Sequence, residues 1–182
     1  MAITMFRRQT SPWKGLVAGL AGGLAATMAM TQFQNAWTKA AEKIKGDGRN
    51  EGEENKGHSE NSEAEDATMK AAGKVASVAG YPLSHDQKKK ASPIVHYGFG
   101  TVMGGVYGVA METRRLRRQP PLLAGAGFGT SLFVGADEIA VPALGLSGQS
   151  ESSIGTHLYG LASHLVYGVT AEGVRRLTRR FL

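Results

Sequence analysis

Four stretches of the chain are almost free of charge. Gly15 to Thr38 has none, and Ala91 to Met111 has only His96. Gln119 to Ser150 is broken only by Asp137 and Glu138, and Ser152 to Ala171 only by His157 and His164. Each reaches the roughly 20 residues that a helix needs to cross hydrocarbon. The pattern predicts an all-α polytopic membrane protein with four transmembrane helices near 15–35, 93–112, 121–143 and 154–173. Between the first two spans, residues 39–90 carry 10 Lys/Arg and 10 Asp/Glu. Within that segment, 46–66 (GDGRNEGEENKGHSENSEAED) has almost no apolar residue to offset the entropy of ordering, which predicts a flexible excursion. Met69, Ala72, Val75, Ala76 and Val78 then recur at near-helical spacing, predicting a short amphipathic helix over 67–79 on the outer surface. Gly80-Tyr81-Pro82 stops it, and Ser84 is placed to cap a second short turn, SHDQKKK. No repeat of 20–50 residues is present. The organisation is thus 1–38 (N-terminus and helix one), 39–92 (charged outer loop) and 93–182 (helices two to four with a basic C-terminus).

Averages hide this pattern. A chain of 182 residues with 42% hydrophobic residues and a mean hydropathy of −0.19 resembles an ordinary soluble protein. A pI near 9.7 and a net charge of +6 resemble a nucleic-acid binder. The charges are sorted, however. Arg7, Arg8 and Lys14 precede helix one, Arg114, Arg115, Arg117 and Arg118 separate helices two and three, and Arg175, Arg176, Arg179 and Arg180 follow helix four. With four spans these positions share one side, so the positive-inside rule makes both termini cytoplasmic and places 39–90 and 144–153 outside. Lys88, Lys89 and Lys90 run against the rule. The implied partner is a lipid bilayer, not nucleic acid. A cleaved signal peptide is the competing reading of helix one, since Arg7 and Arg8 precede an apolar run. The absence of Cys excludes a disulfide framework, a thiolate metal site and a cysteine nucleophile.

The 25 glycines fall in stripes. Helix one carries Gly15, Gly19, Gly22, Gly23, Ala26 and Ala29. Helix two carries Gly100, Gly104 and Gly108, and helix four carries Gly160 and Gly168. A four-residue step drifts only about 40° around a helix, so such stripes let backbones approach closely. They serve packing within one bundle or, alternatively, a homo-oligomer.

Ionisable groups inside spans are expensive and commonly functional. On this topology His96 lies about 5 Å below the outer end of helix two at 1.5 Å per residue. Asp137 and Glu138 fall in the outer third of helix three, and His157 in the first turn of helix four. His164 lies two turns deeper on the same face as His157. The predicted site is therefore an outward-facing cluster of His96, Asp137, Glu138, His157 and His164. Adjacent residues point about 100° apart, so Asp137 and Glu138 cannot share one partner. Pro142 is expected to kink the outer end of helix three by leaving the Glu138 carbonyl without a donor. Glu112 and Glu172, beside arginines at the opposite ends, read as interfacial ion pairs outside the site.

Three roles fit the cluster: structural pairing, as in an accessory subunit of a larger membrane complex; a proton sensor or relay; or a metal or haem site. No His-x-x-x-His or Glu-x-x-His spacing supports the third, and no cofactor is predicted. GLAGG and GAGFG lack the strand and the Lys-Ser/Thr of a phosphate loop. No soluble-type catalytic motif is present, so the chain does not read as an enzyme.

The runs HYGFGTVMGGVYGVAMETRR (96–115), GADEIAVPALGL (135–146) and THLYGLASHLVYGVTAEGVRR (156–176) together resemble the YagU-like family, a bacterial inner-membrane group defined mainly as a domain of unknown function. The resemblance covers roughly 90–180 and is clearest in the His-containing last helix ending in Arg-Arg. It implies a polytopic inner-membrane protein associated with acid tolerance and assigns no catalytic residues. The long acidic loop over 46–66 departs from the family pattern.

Overall fold

The structure, a computed structural model, describes residues 10–46, 65–146 and 154–182, and among these it is all-helical. Most of the expected flexible excursion over 46–66, and of the loop over 144–153, lies outside the described residues.

Helix α1 spans Pro12–Gly46, with proline at its first position, where a missing N–H costs nothing. It runs well past the predicted end at 35, because the following AWTKAAEKIK is rich in good helix formers. Helix α2 spans Ala67–Val78. Asp66 caps it, its side chain accepting from the Met69 N–H at 2.7 Å, and Gly80 at φ 84° ends it. Helix α3 spans His85–Ala110. Ser84 and Gln87 form a reciprocal capping box, as the sequence signals, but they open a long helix and not a separate short turn. SHDQKKK is continuous with the apolar run across Pro93, whose missing N–H falls just beyond the exposed, polar first turns.

Helix α4 spans Pro121–Leu132, and from Phe133 to Ala140 the backbone widens to i→i+5 bonding. A final turn, α5, covers Val141–Ala143. The expected single helix with a kink at Pro142 is therefore three pieces. Pro142 has no N–H to give, and the Val141 N–H ahead of it reaches the Ala136 carbonyl. Helix α6 spans Ile154–Phe181, longer than predicted, with Arg179 and Arg180 in its last turn facing the negative end of the helix dipole.

α1, α3, α4 and α6 form an antiparallel bundle. Gly15, Gly19 and Gly23 of α1 lie against Gly108, Gly104 and Gly100 of α3 in reverse order. A Cβ on Gly19 would sit 2.8 Å from the Gly108 Cα, so only glycine allows this approach. α6 lies between α1 and α4, with Gly22 against Ala171 on one side and Gly168 against Gly125 and Gly129 on the other. Gly160 instead faces the Phe133 ring. The Tyr107 and Phe128 rings, stacked at 4.1 Å, join α3 to α4. α2 packs on α3 outside the bundle, burying Met69 and Ala72.

The core, built on Ala26, Met30, Leu132, Tyr167 and Ala171, also holds polar groups, and many large apolar side chains face outward. Thr27, Ser163, Glu172 and Arg175 are buried, whereas Leu24, Met28, Phe99, Val102 and Val106 are exposed. All described charges on α1, α3, α4 and α6 sit towards the ends of the bundle or in the site described below. Among the described residues α1 alone, over Pro12–Lys43, is long and apolar enough by composition to cross a membrane. The four expected spans thus reduce to one on that criterion. α4 is only 12 residues long before its backbone changes, and α3 and α6 are diluted by Gly, Ser, Thr, Tyr and His.

Candidate functional site

The bundle has two polar centres, one near each end. The first is a cavity of about 200 Å³ lined by residues from all four bundle helices. α1 supplies Thr27, Met30 and Gln34, α3 supplies His96, Phe99 and Gly100, and α6 supplies His164 and Tyr167. Leu132 and Asp137 come from α4 and the widened segment after it. Three of the five predicted site residues, His96, Asp137 and His164, therefore share one cavity.

His164 is the most enclosed of them, its side chain 9% exposed against 44% for Asp137. Its Nδ1 donates to the Gly160 carbonyl at 2.9 Å. A carbonyl only accepts, so Nδ1 carries the hydrogen, and Nε2 is the atom at which a proton can be gained. The Asp137 Oδ2 lies 3.6 Å from the same Nδ1, too far for a hydrogen bond but close for a charge. His96 stands edge-on to Tyr97 and within the electrostatic reach of Asp137, His164 and Asp66, the cap of α2.

Glu138 and His157 form a separate pair, joined at 2.7 Å between Oε1 and Nδ1 and both partly exposed. The expectation of one five-residue cluster thus becomes a cavity of three and a rim pair of two. The neighbouring carboxylates do diverge, as expected, but each meets its own histidine on α6. Those histidines are seven residues and about 10 Å apart along the helix. The i→i+5 backbone that carries Asp137 and Glu138 is of a kind often found at functional sites.

An aromatic layer follows the cavity. Tyr167 donates to the Gly100 carbonyl at 2.6 Å, and its ring meets Phe128, which in turn stacks on Tyr107. Beyond this aromatic layer lies the second polar centre, which the sequence reading left outside the site. Glu172 is 1% exposed, with Oε2 receiving Arg175 Nε at 2.7 Å and the Tyr107 hydroxyl at 3.0 Å. Arg176 also donates to Glu172 and ties it to the connecting loop through the Gln119 carbonyl at 2.9 Å. Glu112, 4% exposed, accepts both Nε and Nη2 of Arg179 at 2.8 and 3.1 Å, and the Ser11 N–H at 3.0 Å. These carboxylates are ion-paired, as expected, and buried within the bundle. They lock the start of α1, the end of α3 and the end of α6 into one clamp. Lys14 adds a bond to the Leu182 carbonyl, so both described ends of the chain and the 111–120 connection lie together. The reciprocal spacing of Glu112 and Glu172 from arginines was a visible signal. Their burial was not, because it depends on Tyr107 and Ser11 arriving from other helices.

Among the described residues no three His, Cys, Asp or Glu side chains converge so as to hold a metal ion. Comparison with protein-family models, with curated proteins and with solved structures finds no match.

Proposed function

We propose that the chain is a multi-pass protein of the bacterial inner membrane with both termini cytoplasmic, and that its outward cavity takes up protons and reports external acidity. The observation that carries this reading is the placement of Asp137 with two histidines in one cavity lined from all four bundle helices. Imidazole is the side chain whose ordinary titration falls between about pH 5 and 8. A proton gained at His164 Nε2 would give the ring a positive charge, 3.6 Å from the Asp137 carboxylate at its Nδ1 side, and strengthen the hold of α6 on the segment around Asp137. The many exposed large apolar side chains support the membrane setting: large exposed apolar patches on soluble proteins are rare.

A purely structural role, as an accessory subunit of a membrane complex, is the second reading. It is favoured by the complete pairing of buried side-chain N and O atoms among the described residues. One experiment separates them. Trp37 stacks near Tyr159 at the cavity end of α6, at 5.9 Å. In a Trp13→Phe protein reconstituted in vesicles, Trp37 emission should change with a midpoint between about pH 5 and 8. The change should vanish in Asp137→Asn with His164→Ala while helicity and assembly persist. An unaltered response in that variant leaves only the structural reading.

A further inference from the structure

The clamp end holds a charge imbalance that the clamp does not use. Among the described residues it carries Lys14 and eight arginines but only two carboxylates, Glu112 and Glu172. Both carboxylates are buried, and they are met by Arg175, Arg176 and Arg179. Arg114, Arg115, Arg118 and Arg180 stay exposed, and no carboxylate lies beside them among the described residues. The fold draws them together. Arg114, Arg115 and Arg118 flank or belong to the tight turn Leu116–Arg118. Arg176 holds α6 against that loop through the Gln119 carbonyl, and Arg180 follows one turn later on the same face.

The surroundings of these cations are apolar. Leu116 is 41% exposed in the middle of the arginines, Leu122 and Leu123 are 66% and 65% exposed just beyond the loop, and Leu177 is 53% exposed on α6. A free anion or a nucleic acid has no use for such a flank. A phosphodiester attached to acyl chains uses both, the guanidinium forks binding phosphate and the leucines meeting hydrocarbon. We propose that this end of the bundle is a recognition surface for the headgroup of an anionic phospholipid, contacted by Arg114, Arg115, Arg118 and Arg180. The assignment rests on the membrane reading above, and goes beyond it by specifying lipid charge.

Trp13, 60% exposed, lies at this end, two residues from the Ser11 N–H that bonds Glu112. The full chain carrying Trp37→Phe is reconstituted in neutral phosphatidylcholine vesicles containing either brominated phosphatidylglycerol or brominated phosphatidylcholine. Brominated phosphatidylglycerol should quench Trp13 at the lower mole fraction. The preference should fall about fivefold for each arginine replaced in Arg114→Gln, Arg115→Gln and Arg118→Gln, the factor that about 1 kcal/mol per basic residue at an anionic surface corresponds to. The matching lysine variants, which keep the charge, should retain most of it. Equal quenching by the two lipids, or a preference that survives the triple glutamine variant, overturns the inference while leaving the membrane reading in place. Loss of the preference on adding inorganic phosphate, but not chloride of equal ionic strength, identifies a free-phosphate site and also overturns it. Absence of quenching by either lipid, with failure to float with vesicles, overturns the membrane reading itself.

Discussion

Glu172 and Asp137 are both carboxylates inside the bundle, and their surroundings give them opposite roles. Glu172 is 1% exposed and meets two arginines and a tyrosine, so its partners hold it in place. Asp137 keeps 44% of its side chain open and meets a histidine only at 3.6 Å, the looser setting that the proposed proton response needs. Breaking a buried pair leaves its partner charge uncompensated. Glu172→Gln should therefore destabilise the protein by about 3–5 kcal/mol, chiefly through the stranded Arg175, which is 3% exposed. Denaturant unfolding in detergent, followed by helicity, measures this; a cost below about 1 kcal/mol would mean that the clamp contributes no more than a surface pair. The five polar residues that matter at the cavity end were legible because ionisable groups stand out against apolar runs. Thr27, Gln34 and Tyr167 were not, since each is unremarkable until α1, α3 and α6 are brought together.

At the scale of elements, the helix starts were the most legible features. Asp66 and Ser84 cap where their side chains permit, and the stripe Gly100, Gly104, Gly108 meets its counterpart on α1. Gly125 and Gly129 fall within the predicted third helix but are given no packing role there, GAGFG being weighed only against a phosphate loop. Their role emerges from the backbone of Gly168, which touches them from α6. The widened backbone from Phe133 to Ala140 has no compositional code, and Pro142 marks only its end. α2 is attached more lightly. Its entry residue Glu65 bonds Lys88 of α3 at 2.7 Å, and that ammonium, with burial acting the other way, holds the Glu65 carboxyl below the usual carboxylate range. A lowered folded-state value means that this pair stabilises the α2–α3 contact fully above the ordinary carboxylate range, and that the contribution is lost as pH falls through the Glu65 value. Hydrogen exchange of the α2 amides, corrected for intrinsic rates, should accelerate over that acid window relative to α1. A Glu65→Gln protein should show no such pH step. An identical step in both would assign the loosening to another group.

For the whole molecule, the sorting of charge along the chain becomes a sorting in space. The start of α1, the 111–120 connection and the end of α6 meet at one end, and α2, α5 and the polar start of α3 gather at the other, where Lys74 bonds the Leu144 carbonyl. Antiparallel packing of α1 on α3 and α6, and of α6 on α4, is what converts three separated basic segments into one basic end. Among the described residues only α1 is long and apolar enough to cross a membrane: α4 is short before its backbone changes, and Gly, Ser, Thr, Tyr and His lower the hydropathy of α3 and α6. Many large apolar side chains lie on the outside, among them Leu24, Met28, Phe99, Val102 and Val106, which is the arrangement that the proposed membrane setting needs. The central claim is that a membrane separates the cavity end from the arginine end. The chain has no cysteine, so single cysteines report without interference. Lys89→Cys, exposed at the cavity end, and Arg118→Cys, exposed at the arginine end, should be tested in intact cells with a membrane-impermeant maleimide. Lys89→Cys should label in intact cells and Arg118→Cys only after the membrane is opened; labelling of both from the same side would contradict the account.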